Sequence, residues 1–119
     1  MGNTPVCLLL TLTVKRCSFE ELDQTRNLLE SGLKKFVQME QIRPLFLKSC
    51  FLEQSFSASL ALDVQYSLHF HCIAELVGKR PSSRVIQECW QRACDLDYVP
   101  VVDFRSLSGY FVQPYPSAC

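Results

Sequence analysis

Hydrophobic and polar residues alternate in several short runs of the chain, and two longer stretches repeat apolar residues at helical spacing. Residues 6–15 are rich in β-branched side chains, and residues 10–14 alternate strictly between apolar side chains and threonines. A period of two places successive side chains on opposite faces of a strand. We therefore predict a first strand whose apolar residues face the core, with Thr11 and Thr13 on the other face.

Two segments have the periodicity of amphipathic helices. The first covers residues 19–38 and follows Ser18, which forms a capping box with Glu21, three positions later. The second covers roughly residues 84–94 and follows a turn at residues 78–83. Both helices are predicted to bury one apolar face.

Three further strands complete the predicted sheet. We expect them at residues 45–56, 64–77 and 98–105, with a hairpin turn at residues 57–63 between the first two. Pro100 indicates an edge strand or a bulge, because proline cannot donate a ladder hydrogen bond. The order β-α-β-β-α-β favours an α+β fold, a split-βαβ (ferredoxin/RRM-like) antiparallel sheet with both helices on one face.

Composition narrows the class of protein. The 119 residues suffice for one domain, which we place at residues 1–107, followed by an irregular tail at residues 108–119. Twelve basic and twelve acidic residues cancel, so no overall positive field indicates nucleic acid. Seven cysteines without a C-x-x-C pair favour reduced core thiols in a cytoplasmic protein. The apolar N-terminal run is too short to span a membrane.

Both histidines of the chain lie two positions apart in the third predicted strand. His69 and His71 therefore share a face, and Glu53 on the neighbouring hairpin strand is expected on that same face. Two imidazoles and a carboxylate with open positions suit Mn²⁺ or Mg²⁺, while Zn²⁺ stays open. Glu75 is a weaker candidate ligand because it lies farther along the strand. The alternative is a pair of surface imidazoles that bind no metal.

The histidine pair also resembles the HUH motif of rolling-circle replication initiators, most closely the plasmid Rep proteins. Other segments are similar to that family in the same order: an N-terminal "FLTLTV" strand, an "EEL", a "LEVTYN" whose glutamate is a metal ligand, and a "W…DYTPVVDIR". The corresponding segments here are Leu9–Val14, Glu20–Leu22, Leu52–Ser57, Trp90 and Asp97–Arg105.

This resemblance implies a site-specific DNA-nicking domain. In that reaction a metal held by His69, His71 and Glu53 polarises the scissile phosphate, and a tyrosine attacks it, giving a 5′-phosphotyrosyl link and a free 3′-OH. The implied partner is single-stranded or hairpin origin DNA, with host replication proteins as further partners and no membrane.

The attacking tyrosine of the family lies on a helix beyond the last strand, in a Tyr-x-x-Lys pattern. Neither Tyr110 nor Tyr115 matches that pattern, and Tyr66 and Tyr98 fall in predicted strands. We therefore assign no catalytic residue and expect the chain to end before the nucleophile. Two alternatives stay open: a metal-free RRM-like nucleic-acid-binding module, and a degenerate Rep remnant without catalysis.

Overall fold

A four-stranded antiparallel sheet with two helices on one face forms the architecture, in a computed structural model that describes residues 6–58 and 64–106. The strands are β1 (Val6–Thr13), β2 (Leu45–Ala58), β3 (Val64–Leu76) and β4 (Val102–Ser106). The helices are α1 (Leu22–Phe36) and α2 (Ser83–Cys94), and short 3₁₀ turns cover Phe19–Glu21 and Glu40–Ile42.

The strand order β2-β3-β1-β4 confirms the predicted split-βαβ topology. β3 lies between β1 and β2, and each neighbouring pair of strands is antiparallel. The two helices therefore pack on the same side of the sheet, as the α+β prediction requires.

Local sequence signals fix where the helices begin. Ser18 and Glu21 form the predicted capping box at the start of the 3₁₀ turn that leads into α1, and in it the Ser18 N–H donates to Glu21 Oε1 over 3.0 Å. α2 begins after Ser82, whose hydroxyl accepts from the Val85 N–H, and it is followed by the C-cap residue Asp95 in the left-handed region. Both helix starts fall within three residues of the prediction.

The last strand is shorter than predicted. We expected it at residues 98–105, but β4 begins at Val102. Pro100 is the physical reason, because it has no N–H for the ladder and holds the preceding residues outside the sheet. Its carbonyl instead accepts a hydrogen bond from Gln87 Nε2 over 2.7 Å. The edge position predicted from this proline is confirmed, since β4 borders only β1.

The hydrophobic core lies between the sheet and the helices. Alternation places one side of β1 and β3 there, and Leu10 and Leu68 are fully buried. From the helices, Trp90 meets Phe36 edge-on, with ring centroids 5.6 Å apart. The Trp90 Nε1–H donates to the Thr13 carbonyl, so the one polar atom of this ring is satisfied.

The prediction of reduced core thiols is confirmed for some of the cysteines. Among the described cysteines five are free, and four of these are buried: Cys17, Cys72, Cys89 and Cys94. Cys7 departs from the prediction, because it is disulfide-bonded. Its register places it on the face of β1 opposite the buried leucines, so it is not a core thiol.

A β-bulge at Lys48 sets the two faces of β2. Before the bulge Leu45 and Leu47 pair with core-facing positions of β3, and after it Cys50 pairs with Cys72. The extra residue reverses the alternation, so core residues occupy odd positions before it and even positions after it. Phe51 and Glu53 consequently lie on the sheet face opposite the helices, which we call the open face.

Some predictions fall partly outside the described residues. The predicted turn at residues 57–63 begins inside β2, and residues 59–63 are not described. The predicted tail at residues 108–119 is not described either. Within residues 6–58 and 64–106, neither helix has the length and apolarity needed to cross a membrane.

Candidate metal centre

Three ionisable side chains meet on the open face at the middle of the sheet. His69 and His71 point to this face from β3, and Glu53 lies directly opposite His69 on β2. The three residues, which we call the triad, are the group of potential metal ligands found in the described part of the chain. The structure thus brings together the residues that the sequence singled out.

The ligand atoms of the triad converge on one point. Glu53 Oε1 lies 2.7 Å from Nε2 of each histidine, and the two Nε2 atoms lie 3.1 Å apart. Adjacent octahedral donors about 2.1 Å from an ion lie about 3.0 Å apart, whereas tetrahedral donors lie about 3.4 Å apart. The three distances are closer to the octahedral than to the tetrahedral spacing, and three donors leave further positions for other ligands.

The imidazole rings are held so that both Nε2 atoms face the carboxylate. Their planes are nearly perpendicular, with centroids 4.7 Å apart. The Phe51 ring lies beside His71 at a centroid distance of 5.3 Å. These contacts restrict the rotation of His71 and bring its nitrogen to the shared point.

Exposure differs across the triad. The side chains of His69 and His71 are 16% and 24% exposed, whereas that of Glu53 is 53% exposed. Hydrogen bonds from His71 and from His69 lower the pKa of the Glu53 carboxyl below its ordinary value. The carboxylate is therefore ionised at neutral pH and available as an anionic ligand.

Glu75, the weaker candidate, does not join the triad. Its carboxylate pairs with Lys48 Nζ at 3.5 Å, near the end of β3 and the bulge of β2. It lies four positions beyond His71 along the strand, which amounts to about 13 Å at about 3.3 Å per residue. Glu75 thus provides an open-face carboxylate with no part in the triad.

The triad lies on a surface and not in a cleft. A cleft of about 380 Å³ is lined by α1, by residues 14–17 after β1 and by residues 95–98 after α2, and no triad residue lines it. Small-molecule sites are usually concave and enclose most of their ligand. An exposed triad on a sheet face is better suited to a ligand that extends across the surface.

Sequence reasoning missed the contacts of two open-face residues, one beside the triad and one farther along the sheet. Thr11 Oγ1 lies 3.4 Å from His71 Nδ1, a contact that depends on the register between β1 and β3. Phe46 pairs with Glu75 and is 57% exposed, but its face is set by the bulge. The alternation of β1 correctly predicted the face of Thr11, but it could not place Thr11 opposite a particular histidine.

Comparison with known proteins adds no family assignment: no family model matches the chain, and no significant match is found among curated proteins. The likeness to rolling-circle initiators therefore depends on the short motifs quoted above and stays a prediction.

Proposed function

We propose that this chain is a plasmid rolling-circle replication initiator domain of the HUH type, which binds a divalent cation and single-stranded or hairpin origin DNA at its open face. One observation carries the proposal: three potential ligand atoms for a metal lie within 3.1 Å of one another on an exposed sheet face. The ordered motifs give the triad the context of DNA replication, in a cytoplasmic protein.

The donor set favours Mn²⁺ as the bound cation. Mg²⁺ strongly prefers oxygen ligands, and two of the three donors here are imidazole nitrogens. Mn²⁺ accepts both nitrogen and carboxylate oxygen in octahedral geometry, and the donor spacing is closer to that geometry than to a tetrahedral one. We therefore expect Mn²⁺ to bind more tightly than Mg²⁺ at the same site.

Charge and exposure make a backbone phosphate a suitable ligand. The chain has no net charge, so no overall positive field attracts DNA to it. When bound, a divalent cation supplies positive charge at the triad and polarises a phosphoryl oxygen. Phe51 is 54% exposed beside His71, where its ring can stack on a nucleobase next to that phosphate.

Strand cleavage requires a nucleophile, and the two described tyrosines lie away from the triad. The Tyr66 ring packs between Phe19 and Phe56, and its register places it on the helix side of the sheet. The Tyr98 hydroxyl accepts a hydrogen bond from the Lys15 N–H beyond the end of β1. Neither described tyrosine contacts the triad, so we propose binding by this chain and leave the nucleophile unassigned.

The proposal is tested by Mn²⁺ titration followed by calorimetry or electron paramagnetic resonance. We expect one Mn²⁺ per chain, no binding by the His69→Ala/His71→Ala variant, and a loss of about tenfold or more in affinity for Glu53→Gln. Glu75→Gln is the matched control, because it removes an open-face carboxylate outside the triad. Equal Mn²⁺ affinity in the wild type and the double variant would disprove the metal site.

The nucleic-acid part is tested with a labelled hairpin oligonucleotide. We expect binding with Mn²⁺ that is lost on adding EDTA and in the His69→Ala/His71→Ala variant. Cleavage of the oligonucleotide is measured in the same samples, and a covalent protein–DNA product would identify a nucleophile within the chain. Metal binding without any effect on DNA binding would disprove the proposed role of the cation in DNA binding, and absence of DNA binding would disprove the proposed substrate.

The two exposed phenylalanines favour one alternative, a metal-free RRM-like module. Phe46 and Phe51 both lie on the open face, and RRM domains stack bases on sheet aromatics. This alternative predicts oligonucleotide binding that survives EDTA and the double histidine substitution but is weakened by Phe51→Ala.

The other alternative, a degenerate remnant, predicts neither metal nor oligonucleotide binding, and a broad melting transition.

A further inference from the structure

Two threonines of β1 lie beside the two histidines of the triad. Thr11 is directly opposite His71, and Thr13 is directly opposite His69, all four on the open face. Both threonines are half-buried, and both belong to the same alternating run. By sequence and register they are equivalent.

Their hydroxyl groups nevertheless have different partners. Thr13 Oγ1 donates to the Val101 carbonyl over 2.7 Å, so it is engaged by the segment that leads into β4. Thr11 Oγ1 lies 3.4 Å from Nδ1 of His71. No described residue makes a corresponding contact with Nδ1 of His69. Among the described residues, His71 therefore has a side-chain contact at Nδ1 that His69 does not have.

The contact at Nδ1 determines how the other nitrogen of His71 is presented. When Nε2 gives its lone pair to a cation, Nδ1 carries the proton and donates it to Thr11 Oγ1. When the Nε2–H donates to Glu53, Nδ1 is an acceptor and the Thr11 hydroxyl donates to it. A hydroxyl can take both roles, whereas a carboxylate or a carbonyl can only accept.

We infer that Thr11 is a positioning residue for the metal site: its hydroxyl orients the His71 imidazole so that Nε2 faces Glu53 with and without a bound cation. The inference rests on the proposed metal-binding function. It assigns unequal roles to the two threonines, with Thr11 acting through His71 and Thr13 fixing the segment before β4.

The test compares Thr11→Val, Thr11→Ser and Thr13→Val in the full chain. Valine keeps the β-branched shape and removes the hydroxyl, while serine keeps the hydroxyl and removes the methyl group. We expect Thr11→Val to raise the Mn²⁺ dissociation constant about tenfold, and Thr11→Ser and Thr13→Val to change it by about twofold or less. Equal losses in the two valine variants would overturn the inference.

A second measurement does not require metal. In ¹⁵N-labelled, metal-free protein at a pH where both imidazoles are neutral, Thr11→Val should shift the His71 Nδ1 resonance and leave the His69 Nδ1 resonance in place. Thr13→Val should shift neither, and Thr11→Ser should restore the wild-type His71 position. An unchanged His71 resonance in Thr11→Val would overturn the positioning role.

The two measurements separate this inference from the proposed function. If the wild type binds no Mn²⁺, the proposed function fails, and the His71 resonance alone decides whether Thr11 orients the ring. If the wild type binds Mn²⁺ and Thr11→Val binds it equally well, the metal site stands and the inference about Thr11 is wrong.

Discussion

The two faces of the sheet are built from the same strands but differ in nearly every property. On the helix side, Leu10, Leu68 and Cys72 are completely buried, and no polar or charged side chain is buried among the described residues. On the open face, the same strands carry Thr11, His71 and other polar groups at partial exposure. One face excludes water, and the other holds ionisable groups where a ligand can reach them.

The side chains that stabilise the fold and those of the candidate metal site therefore lie on different faces of the sheet. Burial of apolar surface provides most of the folding free energy, and here that surface lies on one side only. The triad lies on the other side, carried by β2 and β3 and contacted from β1 by the Thr11 hydroxyl. The triad can therefore be altered without removing the interactions that hold the sheet and helices together.

The largest loss of unfolding free energy is expected from a substitution on the core face of the sheet. Trp90 is fully buried, packs on Phe36 and donates to the Thr13 carbonyl. Trp90→Ala should lower the free energy of unfolding by about 3–5 kcal/mol. The matched open-face variant His69→Ala/His71→Ala should lose about 1 kcal/mol. Chemical denaturation of both variants checks this, and similar losses would show that the faces are not energetically separate.

A smaller effect is expected where the two helices cross. A Cβ atom at Gly32 of α1 would collide with Cys94 Sγ of α2, and the Cys94 side chain is itself buried. Gly32→Ala should therefore cost about 1–3 kcal/mol through overpacking, with Mn²⁺ affinity unchanged.

A double-mutant cycle with Cys94→Ala provides the control for the helix crossing. Removing the sulfur makes room for the new methyl group, so the cost of Gly32→Ala should be smaller in the Cys94→Ala background. An equal cost in both backgrounds would mean that the glycine is required for another reason.

The smallest expected effect is the pH dependence of stability that arises from the exposed carboxylate of the triad. Hydrogen bonds from His71 and His69 lower the pKa of Glu53, so the folded chain holds this proton less tightly than the unfolded chain. The resulting stabilisation is present above pH about 4.3, the ordinary glutamate value, and is lost as the pH falls through the lower folded pKa.

Thermal melts of the metal-free wild type and Glu53→Gln as a function of pH test this sign. The wild type should melt at the higher temperature at neutral pH, and the difference should disappear in acid. A difference that grows in acid would contradict the assigned direction.

Much of the fold and of the site could be predicted from local patterns. The alternation in residues 10–14 gives the faces of β1, and the His-x-His spacing places both imidazoles together whatever the rest of the fold. Glu53 could be placed because the alternation is regular from Ser49 onward. Each of these predictions depends on one strand and its nearest neighbour.

The features that escaped prediction depend on register or on longer contacts. The hydrogen bond between Thr11 and His71 requires the exact pairing of β1 with β3 across 60 residues of sequence. The start of β4 depends on how Pro100 is held by α2, through Gln87. The face of Phe46 depends on the bulge, which no turn residue or glycine announces in the sequence.

The bulge at Lys48 also makes the candidate site sensitive to the insertion or deletion of one residue in β2. The extra residue, Lys48, determines whether Phe51 and Glu53 lie on the open face or on the core face. If Lys48 were deleted and the pairing before it kept, every later residue of β2 would move to the other side of the sheet. Loss of a single codon would thus turn the carboxylate away from the histidines. Insertions and deletions at this point of β2, more than substitutions, would decide whether related chains carry a three-donor site or two histidines alone.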